Sequence, residues 1–176
     1  MNLIAFAPAW LAALTAAALL AAAIEDLRRL RISNVTVLVV LLAAIAAMAF
    51  AGFRGALWQN AAVFVGVLIV GTFAFARNWL GGGDVKLLAA TGLWVGFEAA
   101  PWLLAAIFLA GGVVAILYII VRKARGKKRR EANRIPYGVA IAAGALFVLG
   151  SQYSNRANER GFAPLPVIKG VNLPNQ

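Results

Sequence analysis

Two aspartates, Asp26 and Asp84, are the residues of this chain whose types and placement best support chemistry. The 176 residues include no His and no Cys. That composition removes a Ser-His triad, an imidazole base, a cysteine nucleophile, disulfides and any His- or thiolate-held metal. The acidic residues are Glu25, Asp26, Asp84, Glu98, Glu131 and Glu159. Two carboxylates that converge cannot both ionise freely, so one keeps a proton while the other stays anionic and the pair titrates as a unit. Such a pair suits hydrolysis of a peptide: the anionic acid takes a proton from water, and the protonated one donates to the scissile carbonyl.

The elements that must bring the two together are membrane helices. The chain is 63% hydrophobic and 13% charged, with a mean hydropathy of +0.85. A soluble domain is about half apolar and a quarter charged, so the surplus must face lipid. Apolar runs extend over Leu3 to Ile24, Val35 to Phe50, Ala61 to Ala76, Val85 to Phe97, Pro101 to Val121 and Ile135 to Gly150. The first has its arginines after it rather than before it, the reverse of a cleaved signal peptide, and reads as a retained helix. The expected fold is all-α, a polytopic bundle of about six transmembrane helices. Residues 1–150 form the membrane domain, and Ser151 to Gln176 form a polar, extended tail carrying Pro164, Pro166 and Pro174.

Seventeen Lys and Arg against six acids give a net charge of +11. In a soluble chain this suggests nucleic acid; in this one it fits the concentration of basic residues in cytoplasmic loops. Eight lie between Arg122 and Arg134, a segment expected to anchor on anionic lipid. Six crossings place thirteen basic residues inside and four outside, with both termini outside. Val85 to Phe97 is short for a span, but removing it would put the most basic loop outside. This topology, derived from Lys and Arg alone, sets Asp26 and Asp84 at the same cytoplasmic face.

Two readings of the pair stand side by side. Asp26 can simply pair with Arg29 while Asp84 caps the fourth helix, since acids suit helix N-termini. Alternatively, ionisable groups at membrane depth are costly and mark function. The local sequence favours function. Gly81, Gly82 and Gly83 precede Asp84, and glycines permit φ > 0 and close approach of another chain.

Three blocks carry a resemblance: Asp26 followed by Ile32-Ser33-Asn34, the run Gly81-Gly82-Gly83-Asp84-Val85-Lys86-Leu87-Leu88, and Ile135-Pro136-Tyr137-Gly138-Val139-Ala140. In order and spacing they are similar to the signature blocks of type IV prepilin peptidases, membrane aspartic peptidases of the Gly-x-Gly-Asp class. The resemblance covers residues 1 to about 150. It implies that Asp26 and Asp84 are catalytic, and that Asn34, Gly81, Gly82, Gly83, Lys86, Pro136, Tyr137 and Gly138 support them or the substrate. It implies a prepilin substrate, cut on the cytoplasmic side of the bacterial inner membrane between a short basic leader and an apolar helix. Ser33 stands where many relatives have Pro. The absence of Cys, and the shortness of Glu25 to Asn34, resemble the compact members found with Flp-type pili, which implies cleavage without N-methylation. No metal or organic cofactor is expected, and the partners are prepilin and bilayer rather than nucleic acid.

Other residues admit two roles. Lys86 can tune a carboxylate or hold a substrate carbonyl, or it can snorkel to phosphate. Glu25, adjacent to Asp26, should pair with Arg28 or Arg29. Asn34 supports the acids or caps the second helix, and Pro136 shapes the site or occupies a helix N1 position. The five Trp residues suit an aromatic belt. Three other classes compete: a proton-relay transporter or channel using the two aspartates, a non-enzymatic assembly protein, and a Ser33–Lys86 hydrolase.

Overall fold

The computed structural model describes residues 2–52, 55–124 and 136–161. Among these there are six α-helices and no strand: α1 (Ala9–Arg29), α2 (Asn34–Ala51), α3 (Leu57–Ala76), α4 (Gly82–Gly92), α5 (Ala100–Ala124) and α6 (Tyr137–Gly161). A 3-10 turn, Leu3–Ala5, precedes them.

All of these except α4 are long and apolar enough to cross a membrane, so the chain is a multi-pass membrane helix bundle. With 11 residues, α4 is about 16 Å long at 1.5 Å per residue, against a hydrocarbon core of about 30 Å. It ends at Gly92, and Leu93 to Gly96 continue as a buried turn rather than as helix.

Despite its length α4 is central. It packs against α2, α3 and α6, while α1 lies against α2 and α6, and α5 lies against α6. Small residues allow these approaches. A Cβ on Gly71 of α3 would come within 2.7 Å of Val85 in α4, and one on Gly144 of α6 within 2.6 Å of the Ile107 backbone in α5. Outward faces stay apolar: Trp102, Phe108 and Leu109 on α5 are each more than 70% exposed, as befits contact with lipid.

Several boundaries differ from those read in the sequence, α3 among them, which begins at Leu57 rather than Ala61. Pro8 breaks the first apolar run, because it has no N–H to give and its extended backbone sits just before α1. The helix is thereby displaced, running from Ala9 through Asp26 to Arg29. The fourth helix starts and stops earlier than Val85 to Phe97. The last helix does not stop at Gly150 but continues through polar residues to Gly161, so residues 151–161 are helical rather than extended. Pro136 precedes α6 by one residue instead of occupying its first position. Arg125 to Arg134, most of the basic loop, and positions 162–176 of the tail lie outside the described residues.

One end of the bundle is closed by the N-terminal segment. Leu3 is fully buried and its N–H donates to the Trp94 carbonyl at 3.1 Å. The Arg156 guanidinium donates to the carbonyls of Ile4 and Ala7 at 2.8 and 2.7 Å. Trp94 is also fully buried; it is a core residue and not part of a belt. The other four Trp residues are each exposed by 59% or more. The aspartates lie at the opposite end.

Candidate active site

Asp26 occupies a core position of α1. The buried residues of that helix are Leu11, Thr15, Ala18, Leu19, Ala22 and Asp26, a stripe at helical spacing. The acid therefore stands where the pattern calls for an apolar side chain, and it is only 4% exposed. A buried carboxylate needs hydrogen-bond donors. Asp26 finds one at the start of α6, where the Gly138 N–H donates to its Oδ2 at 2.7 Å. The first N–H groups of a helix have no partner within it and carry a partial positive charge, so this end of α6 suits an acid.

Asp84 lies in the first turn of α4, where its Oδ2 accepts the Gly81 N–H at 3.2 Å. The capping role foreseen for it is therefore real. It does not exhaust the residue, because the group also feels the other acid. Burial first, and then the neighbouring Asp26 charge, push the Asp84 carboxyl up to about 6, while the Gly81 bond pulls the other way.

Ile32, in the connection between α1 and α2, ties the two helix starts together. A Cβ on Gly83 would sit 3.2 Å from Ile32 Cβ and 3.3 Å from its carbonyl oxygen. A Cβ on Gly138 would sit 2.8 Å from Ile32 Cδ1 and 2.9 Å from Asp26 Oδ2. Ile32 thus rests on the glycine that donates to Asp26 and on the one that precedes Asp84. The glycine run serves close packing as expected, but by the chain's own residues: Gly83 faces Ile32 and Gly82 faces the Phe75 ring. The positive φ allowed for these glycines is not used. Gly81 is extended (φ −75), and among the described glycines only Gly52 has φ > 0.

Lys86 is exposed and its Nζ donates to Asn34 Oδ1 at 3.1 Å, which links α4 to α2. Asn34 is not the α2 cap; Ser33 is, its side chain accepting the Thr36 N–H. Pro136 is buried and Tyr137 partly so at the start of α6. The site residues read from the sequence thus lie at the starts of α2, α4 and α6 and the end of α1. Among the described residues no three His, Cys, Asp or Glu side chains gather as metal ligands.

The Arg29 charge does act on Glu25, but the hydrogen bonds of Glu25 go elsewhere. Its carboxylate accepts the Ser33 N–H at 2.8 Å and the Thr36 hydroxyl at 3.1 Å. Sequence reasoning named Ile32 only as part of a block, without a role, and passed over Thr36. The only local signal was the Ser33-x-x-Thr36 spacing beside a charged helix end.

A family model described as the type IV leader peptidase family matches residues 13–118. That span includes Asp26, Asn34 and Gly81 to Lys86 but not Pro136 to Gly138. The chain is 37% identical over 100 residues to a prepilin leader peptidase/N-methyltransferase of Escherichia coli, covering 57% of this chain and 38% of that protein. It is 32% identical over 114 residues to the protein of the same name from Burkholderia pseudomallei, covering 57% and 35%, and 36% identical over 76 residues to that of Pectobacterium carotovorum, covering 43% and 25%. The chain thus spans well under half the length of these relatives. No solved structure matches it. With more than half of its length fitting the family model, the chain belongs to the type IV leader peptidase family.

Proposed function

We propose that this chain is an aspartic endopeptidase that removes the short basic leader of prepilins, with Asp26 and Asp84 as its catalytic pair. The observation that carries the reading is the gathering of a buried Asp26 and a charge-coupled Asp84 around Ile32, Gly83 and Gly138. A relay would spread its acids through the bilayer, whereas these lie at one end of the bundle.

The Gly138 N–H at the α6 start favours Asp26 as the anionic partner, and Asp84 holds the proton. Water placed between them loses a proton to Asp26 as its oxygen attacks the scissile carbonyl carbon. Asp84 donates its proton to the carbonyl oxygen, which gives a gem-diol. Asp26 then passes its proton to the amide nitrogen and the C–N bond breaks. A hydroxyl proton of the collapsing diol returns to Asp84, so both acids recover their starting states. Asn34 and Lys86 hold the α2–α4 rim along which the leader would lie, with Gly81 as the exposed approach. Pro136, Tyr137 and Gly138 form the floor under Asp26.

The aspartate end faces the cytoplasm of a bacterial inner membrane, by the distribution of Lys and Arg, and both termini lie outside. The substrate is a Flp-type prepilin or related subunit. Only cleavage is assigned: the sequence has no Cys, and the α1–α2 connection is four residues long. The test is to replace Asp26 and Asp84 separately by Asn and follow prepilin processing in cells. Each variant should leave the precursor uncut, and processing at the normal rate by either one refutes the pair.

A further inference from the structure

Glu25 borders Asp26 in sequence but serves a different structure. Its Oε2 accepts the Ser33 N–H at 2.8 Å, and both its oxygens lie 3.1 Å from Thr36 Oγ1. Thr36 is buried at 7% exposure, its hydroxyl lies 2.8 Å from Ser33 Oγ, and its N–H donates to that same Oγ at 3.1 Å. A carboxylate only accepts, so the Thr36 hydroxyl donates to Glu25, and the Ser33 hydroxyl lies against both. These bonds close the connection Leu30–Ser33 into a ring with the last turn of α1.

That connection needs holding. Leu30 sits in the left-handed region (φ 51, ψ 35), which costs a non-glycine residue about 1–2 kcal/mol. It also carries Ile32, whose backbone and side chain fill the space over Gly83 and Gly138. A shift of this connection therefore moves the start of α4 relative to the start of α6.

We infer that Glu25 is a positioning residue: by clamping Ser33 and Thr36 it fixes Ile32 between Gly83 and Gly138, and so fixes how Asp84 meets Asp26. This rests on the peptidase reading above, and two readouts separate the two claims. The first is geometric. The chain has no Cys, so the double variant Ile32→Cys/Gly83→Cys reports on one contact alone. A Cβ on Gly83 would lie 3.2 Å from Ile32 Cβ, and disulfides span about 3.5–4.5 Å between Cβ atoms, so a small adjustment admits the bond. In membranes this pair should cross-link readily with Glu25 intact and at least tenfold more slowly with Glu25→Ala. Glu25→Gln keeps the acceptor for Ser33 and should restore the rate.

The second readout is turnover of a purified full-length chain on a prepilin. A displacement of about 1 Å costs on the order of a hundredfold. Glu25→Ala should therefore lower kcat tenfold to a hundredfold with KM changed less than threefold, and Glu25→Gln should stay within threefold of wild type. Thr36→Val, which keeps the volume and removes the hydroxyl, should lower both readouts severalfold and serves where Glu25→Ala fails to accumulate. Unchanged cross-linking or unchanged kcat in Glu25→Ala or Thr36→Val overturns the inference, as does failure of the cysteine pair to cross-link with Glu25 intact. Loss in Glu25→Gln equal to that in Glu25→Ala overturns it too, since charge rather than the clamp would then be at work. If the wild-type chain leaves prepilin uncut, the peptidase reading fails and the positioning claim with it, while the cross-link still decides whether Glu25 holds the connection.

Discussion

Gly138→Ala puts the packing around Asp26 to a quantitative test. The added methyl would lie 2.8 Å from Ile32 Cδ1, 2.9 Å from Asp26 Oδ2 and 3.0 Å from Asp26 Cβ. Ordinary carbon contacts begin near 3.5 Å, so α6 or the carboxylate must retreat by about half an ångström or more. Overpacking of this kind costs about 1–3 kcal/mol. The same retreat stretches the 2.7 Å bond from Gly138 N–H to Asp26, and bonds to charged groups contribute about 1.5–3 kcal/mol. The two costs share one displacement and do not simply add. About 2–3 kcal/mol is expected, or a fall in thermal midpoint of about 2–4 °C per kcal/mol. If Asp26 is catalytic as proposed, a displacement of about half an ångström to one ångström should lower prepilin cleavage about tenfold to a hundredfold. Thermal unfolding in detergent and cleavage of purified prepilin measure the two effects. Gly112→Ala is the matched control, since a methyl there meets nothing within 4 Å, and it should cut at the wild-type rate. A Gly138→Ala enzyme that cuts within threefold of wild type, with an unshifted midpoint, would refute the reasoning.

Through Asp84, mild acid should stabilise the fold. The Asp84 carboxyl is raised from 3.8 to about 6, so between these values the folded chain binds more protons than the unfolded one. Stability then falls as pH rises through that window and levels off above it; Asp84→Asn should make the slope of thermal midpoint against pH shallower, and an unaltered slope contradicts the assignment. Arg156→Ala removes two bonds that tie α6 to the N-terminal segment. At about 1.5–3 kcal/mol for a bond to a charged group, it should lower the midpoint and expose residues 2–8 to protease, while cleavage at the far end stays within threefold of wild type. Asn34→Ala and Lys86→Ala should couple in a double-mutant cycle on stability by less than about 1 kcal/mol, because their bond is exposed; a larger coupling would mean the pair is buried in the membrane.

Much of this arrangement can be read from residue types and spacing. Five long helices follow from the long apolar runs, with their ends shifted where Pro8 breaks the first and polar residues extend the last. The grouping of Asp26 and Asp84 at one end follows from counting Lys and Arg in successive loops. The remainder depends on contacts between distant segments. A hydrophobic run cannot distinguish the buried Trp94 from the lipid-facing Trp102, because membrane interfaces and protein cores both accept indole. Polar residues after Gly150 suggested an extended tail, yet α6 runs on to Gly161, and Arg156 on that stretch binds carbonyls of the N-terminal segment. Glu25 had two arginines within one turn, but its hydrogen bonds come from backbone and hydroxyl donors of the next connection, with Arg29 acting only as a nearby charge. Whether a glycine run serves a positive φ or a neighbour's side chain is decided only by what lies opposite, here Phe75 and Ile32.

The brevity of α4 also constrains how the protein is made. A half-length segment that carries Lys86 and opens with glycines has little tendency to partition from the translocon into lipid by itself. Its neighbours α2 and α3 are synthesised before it, but α6 emerges only after α5 and the basic loop. During translation α4 must therefore wait, sheltered by the earlier helices, until α6 arrives and delivers the Gly138 N–H to Asp26. On the proposed reading the aspartate site is completed only once α6 has emerged, so a nascent chain stalled before that point would be inserted but inert.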